Sequence, residues 1–242
     1  MSQADYYEKY WSETGFCPRG HTSPEVAALL EKWIKPGCRC LDVGCGDGRT
    51  AGIWLTNRGC DYTGADVSAS AVQLARNEGL EAIVIGADGR LPFESDSFDA
   101  AVCIEVLEHM FAPQAALSEV RRVLRPHGTL LVTVPNCAYW RRRAELAFLG
   151  RWNPIGDDLS VDQPWRDPHV RFFNCGSLQR LLCSIPFAVI EIGGHAGSLI
   201  RDIPCVGKWL HQRAPCLGIY RTLERALPSL FGYALHAIAR RG

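Results

Sequence analysis

Leu41-Asp42-Val43-Gly44-Cys45-Gly46-Asp47-Gly48-Arg49-Thr50 is the stretch whose reading decides the fold. An apolar strand enters a turn in which three glycines alternate, and a helix is expected from about Thr50. Gly44 and Gly46 can take backbone angles closed to other residues, and they leave no side chain between the chain and a ligand. The helix that follows offers unpaired N–H groups over the turn. Asp42 and Asp47 flank that turn. They would repel a dinucleotide pyrophosphate and attract a ligand carrying an amino group or a sulfonium. The spacing is also G-x-G-x-G rather than G-x-G-x-x-G, so the dinucleotide fingerprint fails on spacing and on charge.

Working outward from this turn, apolar strands alternate with helical patterns. Strands are expected at 38–43, 61–66, 81–85, 98–104 and 128–134, with helices near 49–58, 68–78, 105–110 and 113–124. That alternation builds a parallel sheet covered by helices on both faces, with ligands at the carboxyl ends of the strands where the strand order reverses. Before the turn, residues 5–35 read as helical, with Ser23-Pro24 as a start signal and Pro36-Gly37 as a stop. Beyond Asn136 the pattern loosens into a stretch, about 137–170, that holds an arginine cluster and the tryptophans Trp140, Trp152 and Trp165. Its length and aromatic content suggest an inserted cover over the site. A helix at 176–184, a strand at 187–192, more helix at 199–226 and a last strand at 231–239 follow. The whole, residues 1–242, reads as one domain with an N-terminal helical segment at 1–37.

Composition narrows the function classes. Twenty-six basic residues balance 26 acidic ones, so the formal net charge is zero. This removes the whole-chain electrostatic argument for a nucleic-acid partner. The cysteine count is odd, at 11, and contains no C-x-x-C pair. Reduced thiols in a cytoplasmic protein are therefore expected rather than a disulfide framework. Met1 to Tyr10 is polar, without an apolar signal core, and no segment is long and uncharged enough to span a membrane. Oligomeric state is not readable.

Leu41 to Gly48 resembles the first motif of class I S-adenosylmethionine-dependent methyltransferases, and later segments match in order. Thr63-Gly64-Ala65-Asp66-Val67-Ser68 resembles the second strand and its acidic end. Gly86 to Phe93, followed by Phe98 to Cys103, resembles the third and fourth strands, and Val123 to Asn136 the fifth. The likeness is to the type 11 and ubiquinone-biosynthesis O-methyltransferases. It implies a Rossmann-like, seven-stranded, mostly parallel sheet whose last strand runs antiparallel, and S-adenosyl-L-methionine as cofactor. It implies a cofactor site bordered by Asp42, Gly44 and Gly46, by Asp66 and Val67, by Asp88 and Gly89, and by Glu105. Asp66 stands about 20 residues past the turn, where an acid meets a ribose diol in related folds; a helix N-cap role beside Ser68 is its structural alternative. For Asp88 the alternatives are the adenine amino group, implied by the resemblance, and a turn aspartate before Gly89. Asp42 is expected to order the loop and the methionine end. Tyr10 and Trp11 either close over the cofactor or pack in the core.

A second constellation, Glu105-Val106-Leu107-Glu108-His109, follows the fourth strand. On a helical turn Glu105, Glu108 and His109 share one face. Two carboxylates and an imidazole suit Mg²⁺ or Mn²⁺. Glu-x-x-Glu-His resembles the metal-binding motif of small-RNA 3′-terminal 2′-O-methyltransferases and a stretch of the ubiquinone enzymes. In the RNA enzymes a downstream histidine completes the site, and His169 is its counterpart here. Without a metal, His109 or His169 becomes the general base that removes a hydroxyl proton, with Glu108 beside them. Carboxylates in a first helical turn also occur for helix stability alone. Arg141-Arg142-Arg143 reads as a solvated helix face more than as an anion site, and Trp152 and Trp165 as platforms for an acceptor. The expected reaction is O-methylation of a small phenol, catechol or sugar. RNA 2′-O-methylation, N-methylation of a small molecule, and non-catalytic binding of the cofactor are the alternatives.

Overall fold

The computed structural model describes residues 3–14, 22–86, 88–154, 159–163, 168–197 and 217–242. Its core is a seven-stranded sheet in the order β3-β2-β1-β4-β5-β7-β6. The strands are β1 (Arg39–Val43), β2 (Asp61–Asp66), β3 (Ala82–Val84), β4 (Phe98–Ile104), β5 (Leu124–Pro135), β6 (Phe187–His195) and β7 (Ala234–Arg241). β1 to β5 pair in parallel, whereas β7 is antiparallel to β5 and to β6, between which it lies. The expected architecture is therefore present, antiparallel last strand included.

Side chains of one strand alternate between two apolar cores, as the two-residue period requires. Leu41, Val43, Ala101, Cys103, Leu130 and Val132 pack on one face of the sheet. Cys40, Ala100, Val102, Ile104 and Leu131 pack on the other. Burial on both faces explains why β1 and β4 read as near-continuous apolar runs. Helices α1 (Gln3–Thr14), α2 (Pro24–Trp33), α3 (Gly52–Asn57), α4 (Ala69–Asn77) and α5 (Pro113–Val123) flank these strands. The start of α2 is the one expected: Pro24 occupies its first turn and Ser23 Oγ accepts from the Val26 N–H at 3.2 Å.

Three expectations change. The segment expected as a helix at 105–110 is a single 3₁₀ turn, Leu107–His109, entered through Glu105 in a left-handed conformation at φ 55°. Strand β5 begins at Leu124 rather than 128; its register to β4 jumps from Phe98↔Leu124 to Ala100↔Thr129, and His127 within the jump takes φ 63°. In α6 (Trp140–Leu149), Arg142 is not solvated: it is buried, with its guanidinium over the Tyr233 and Tyr139 rings at 5.1 and 6.0 Å. Its neighbours behave as surface groups, Arg141 pairing with Glu145 at 2.8 Å. Of the remainder of the cover, a short helix α7 (Leu159–Asp162) and residues 168–170 are described, whereas Trp165 lies outside the described residues. The helix expected at 199–226 is described only from Leu217 to Ala226, and α8 (Cys175–Ser184) precedes β6 as expected.

Eight described cysteines are free thiols. No described helix is long and apolar enough to cross a membrane.

Candidate active site

Strand order reverses between β1 and β4, because the chain runs outward through β2 and β3 before returning to β4. Where the order reverses, the connections leaving the two strands diverge and open a crevice at their carboxyl ends. A cavity of about 1070 Å³ occupies that crevice, lined by the glycine turn, the ends of β2 and β4, and the N-terminal helix.

At the end formed by the glycine turn, Gly44 and Gly46 take φ of 73° and 56°. The Gly44 N–H donates to the Ala65 carbonyl at 2.7 Å, and the Gly46 N–H to Asp66 Oδ2 at 2.9 Å, so the turn is tied to β2. Asp66 Oδ1 accepts from the Ser68 N–H at 2.9 Å. Burial raises the Asp66 carboxyl above its usual range, against the pull of N–H donors on Ser68, Gly46 and Val67. A Cβ on Gly46 would stand 2.7 Å from Trp11 Cζ2, so the indole lies directly on the turn. Trp11 is buried, and Tyr10 and Trp11 both line the cavity. Helix α1 is latched by Glu8, which accepts from Ser68 Oγ at 2.8 Å and from the Ser70 N–H at 3.1 Å, at the start of α4.

Val67, Asp88, Gly89 and Glu105 line the same cavity. Asp88 is exposed and Oδ1 accepts from the Arg90 N–H at 3.1 Å, which is the turn-aspartate geometry. Asp42 is placed differently from the expectation. It sits behind the turn rather than on the cavity wall, where Tyr62 donates to its Oδ2 at 3.0 Å. Burial raises its carboxyl to about 7. Asp47, which the sequence places only as a charge flanking the turn, is buried and lines the cavity.

At the opposite end, Glu108, His109 and His169 each place a ligand atom within 4.8 Å of the others. The backbone explains this meeting. The Val170 and Arg171 N–H groups both donate to the Glu108 carbonyl at 2.9 Å, fastening the downstream segment to the 3₁₀ turn. The His109 and His169 rings then stand 4.3 Å apart, and His109 Nδ1 lies 3.4 Å from the Pro168 carbonyl. If Nδ1 carries the proton for that carbonyl, Nε2 is the nitrogen with the lone pair, and it lies 3.8 Å from Glu108 Oε1. Glu105 is not in this group. The helical face that would have joined it to Glu108 and His109 does not form, because its left-handed backbone starts a different turn. Trp152 is half exposed, packs edge-on against Phe172 and does not line the cavity.

Sequence reasoning passed over Tyr7 and His195. Tyr7 lines the cavity edge-on to His109 at 5.6 Å. Its hydroxyl has no hydrogen-bond partner among the described residues, and burial, then the charges of Tyr6, Glu108 and Asp66, raise its phenol. His195 lines the cavity from the end of β6. The alternation Glu191-x-Gly193-x-His195 was its available signal.

Residues 41–132 match the methyltransferase domain family. Among solved structures, a methyltransferase in complex with the Trm112 methyltransferase activator of Haloferax volcanii superposes with a TM-score of 0.65 at 21% identity, covering 99% of this chain and 97% of that one. The matched segment runs from the glycine turn into β5 and is similar to a methyltransferase domain, and the superposition shows a shared fold. Two curated relatives are similar over shorter spans. A tRNA (carboxymethyluridine(34)-5-O)-methyltransferase of Arabidopsis thaliana is 32% identical over 167 residues, 64% of this chain and 39% of that protein. A ubiquinone biosynthesis O-methyltransferase of Alkalilimnicola ehrlichii is 39% identical over 140 residues, 53% of this chain and 55% of that protein. The match spans about half of these relatives or less.

Proposed function

We propose that this protein transfers a methyl group from S-adenosyl-L-methionine to a hydroxyl oxygen of a small-molecule acceptor. The observation that carries the reading is the grouping of Glu108, His109 and His169 in the same cavity as the glycine turn. In-line transfer from a sulfonium needs proximity and a deprotonated nucleophile more than elaborate acid chemistry. A carboxylate and two imidazoles facing one cavity supply the second requirement.

On this reading Gly44, Gly46, Asp66, Val67, Asp88, Gly89 and Glu105 border the cofactor, and the free Tyr7 hydroxyl is available to a ligand between the two ends. Above its raised pKa of about 7, Asp42 acts from behind the turn through its negative charge, which favours a sulfonium over a neutral thioether. One carboxylate and two imidazoles within 4.8 Å suit Mn²⁺ better than the oxygen-seeking Mg²⁺, so Glu108, His109 and His169 would hold such an ion. A bound ion would lower the pKa of a coordinated hydroxyl. Without one, His109 or His169 accepts the hydroxyl proton.

A second reading, a tRNA acceptor, is favoured by the likeness to the Arabidopsis tRNA enzyme over 64% of this chain. Zero net charge weighs against it. Calorimetric titration of Mn²⁺ into protein saturated with S-adenosylhomocysteine tests the site, alongside Glu108→Gln. Saturable Mn²⁺ binding that the variant loses, with homocysteine-product binding intact, is the expected result. Mn²⁺ binding that survives in Glu108→Gln would sink the metal assignment, and failure to bind the product would sink the methyltransferase reading.

A further inference from the structure

Strand register assembles a second set of ionisable groups, remote in sequence from the Glu108 cluster, of which His195 lines the cavity. On β6, Glu191, Gly193 and His195 alternate onto one face, and His236 of β7 pairs directly opposite Gly193. A Cβ on Gly193 would fall 2.5 Å from His236 Cε1. Only a glycine there lets the imidazole lie over the strand, flanked by Glu191 on one side and His195 on the other. His236 Nε2 is 3.2 Å from Glu191 Oε1, and His236 Nδ1 is 3.4 Å from His195 Nδ1. From α2, Lys32 Nζ donates to Glu191 Oε2 at 2.6 Å.

This row has one consistent proton arrangement when the imidazoles are neutral. Burial raises the Glu191 carboxyl, but hydrogen bonds from Lys32 and His236 outweigh it and hold Glu191 below its usual range, as a carboxylate. A carboxylate only accepts, so His236 carries its proton on Nε2. His236 Nδ1 is then a lone pair, which requires the proton of His195 on Nδ1. His195 Nε2 is left as an acceptor on a side chain that lines the cavity. Burial, with His236 beside it, lowers His195 to about 3, so the ring stays neutral at physiological pH.

We propose that His195 Nε2 receives a hydrogen bond from an O–H group of the methyl acceptor, with His236, Glu191 and Lys32 as positioning residues that fix its tautomer. The inference rests on the O-methyltransferase reading and specifies its substrate class: an acceptor that presents a hydroxyl donor to a neutral imidazole. A carboxylate or phosphate at that position would meet a lone pair and be disfavoured.

The test is a long-range ¹H–¹⁵N correlation spectrum of the ¹⁵N-labelled full chain saturated with S-adenosylhomocysteine, with His195→Gln and His236→Gln for assignment. The expected pattern is a protonated Nδ1 with a bare Nε2 on His195, and the reverse on His236. Glu191→Leu should scramble both tautomers, whereas Glu191→Gln, whose amide oxygen still accepts, should preserve them. Phenol, added as the hydroxyl probe, should shift the His195 Nε2 resonance upfield. A protonated Nε2 on His195, tautomers indifferent to Glu191→Leu, or a His195 Nε2 signal unmoved by phenol would each overturn the proposal. Absence of homocysteine-product binding would instead remove the methyltransferase reading, so the two failures are distinguishable.

Discussion

The two ends of the cavity are built by opposite strategies. The glycine-turn end is local: Gly44, Gly46 and Asp66 come from two adjacent strand ends, and one hydrogen bond from Gly46 to Asp66 joins them. The second cluster gathers Glu108, His109 and His169 from the 3₁₀ turn and the segment after Pro168, while His195 of β6 lines the same cavity. Its geometry depends on bonds between distant segments, such as those from Val170 and Arg171 to the Glu108 carbonyl. A local site tolerates change elsewhere and fails abruptly when its own backbone is altered. A dispersed site can be retuned piece by piece, which suits the half of the cavity that must select an acceptor.

The strongest way to break this contrast is Gly46→Val. Valine at a left-handed φ of 56°, with its Cβ directed at Trp11, carries strain on the order of 1–3 kcal/mol. Affinity for S-adenosylhomocysteine should fall by roughly ten- to a hundred-fold in calorimetry. The His195 tautomer should stay as in the wild type, since that row shares no element with the turn. A tautomer change in this variant would show that the two ends are not independent.

Asp42→Asn sharpens the comparison through pH. The folded pKa of Asp42, about 7, lies above its unperturbed 3.8. The folded state therefore holds a proton that the unfolded chain has lost between these values, and stability falls as pH rises through that window. Asparagine can still accept from Tyr62 and removes the titration. The variant should melt a few degrees higher than wild type at pH 8, with the difference closing near pH 4. Its preference for S-adenosylmethionine over S-adenosylhomocysteine should narrow, because the charge that favours the sulfonium is gone. Equal melting at both pH values would contradict the burial argument.

The smallest effect is expected for Glu8→Ala, which unlatches α1 from Ser68 and Ser70 without touching the turn. Hydrogen bonds from Ser70 and Ser68 hold the Glu8 carboxyl below its usual 4.5. In the wild type this latch is present above that value and is lost as pH falls through the lowered folded pKa. Trp11 fluorescence should report loosening of α1 on acidification in the wild type and at neutral pH in the variant. Product affinity in the variant should weaken by only a few-fold.

The same division governs what the sequence reveals. Leu41 to Gly48 is legible because its meaning is local: a strand, a turn needing left-handed residues, and an acid on the next strand. Glu108, His109 and His169 are also legible, as residue types in a motif. Their grouping without Glu105 is not, because periodicity cannot foresee the left-handed backbone at Glu105 that replaces a helix by one 3₁₀ turn. Arg142 reads as surface because its aromatic partner Tyr233 lies 91 positions away. His195 and His236 are least legible, since only the antiparallel register of β6 on β7 makes them neighbours.

That register has a dynamic corollary. Among the described strands, β6 is joined to the sheet through β7 alone. Any opening that detaches β7 from β5 carries β6 with it, while β6 can separate and leave β7 in place. Fraying of β6 therefore gives the amide hydrogens bonded between β6 and β7 a route to exchange that leaves those between β7 and β5 paired. The imidazole row thus spans an edge strand of the sheet, whereas the glycine turn follows β1, an interior strand.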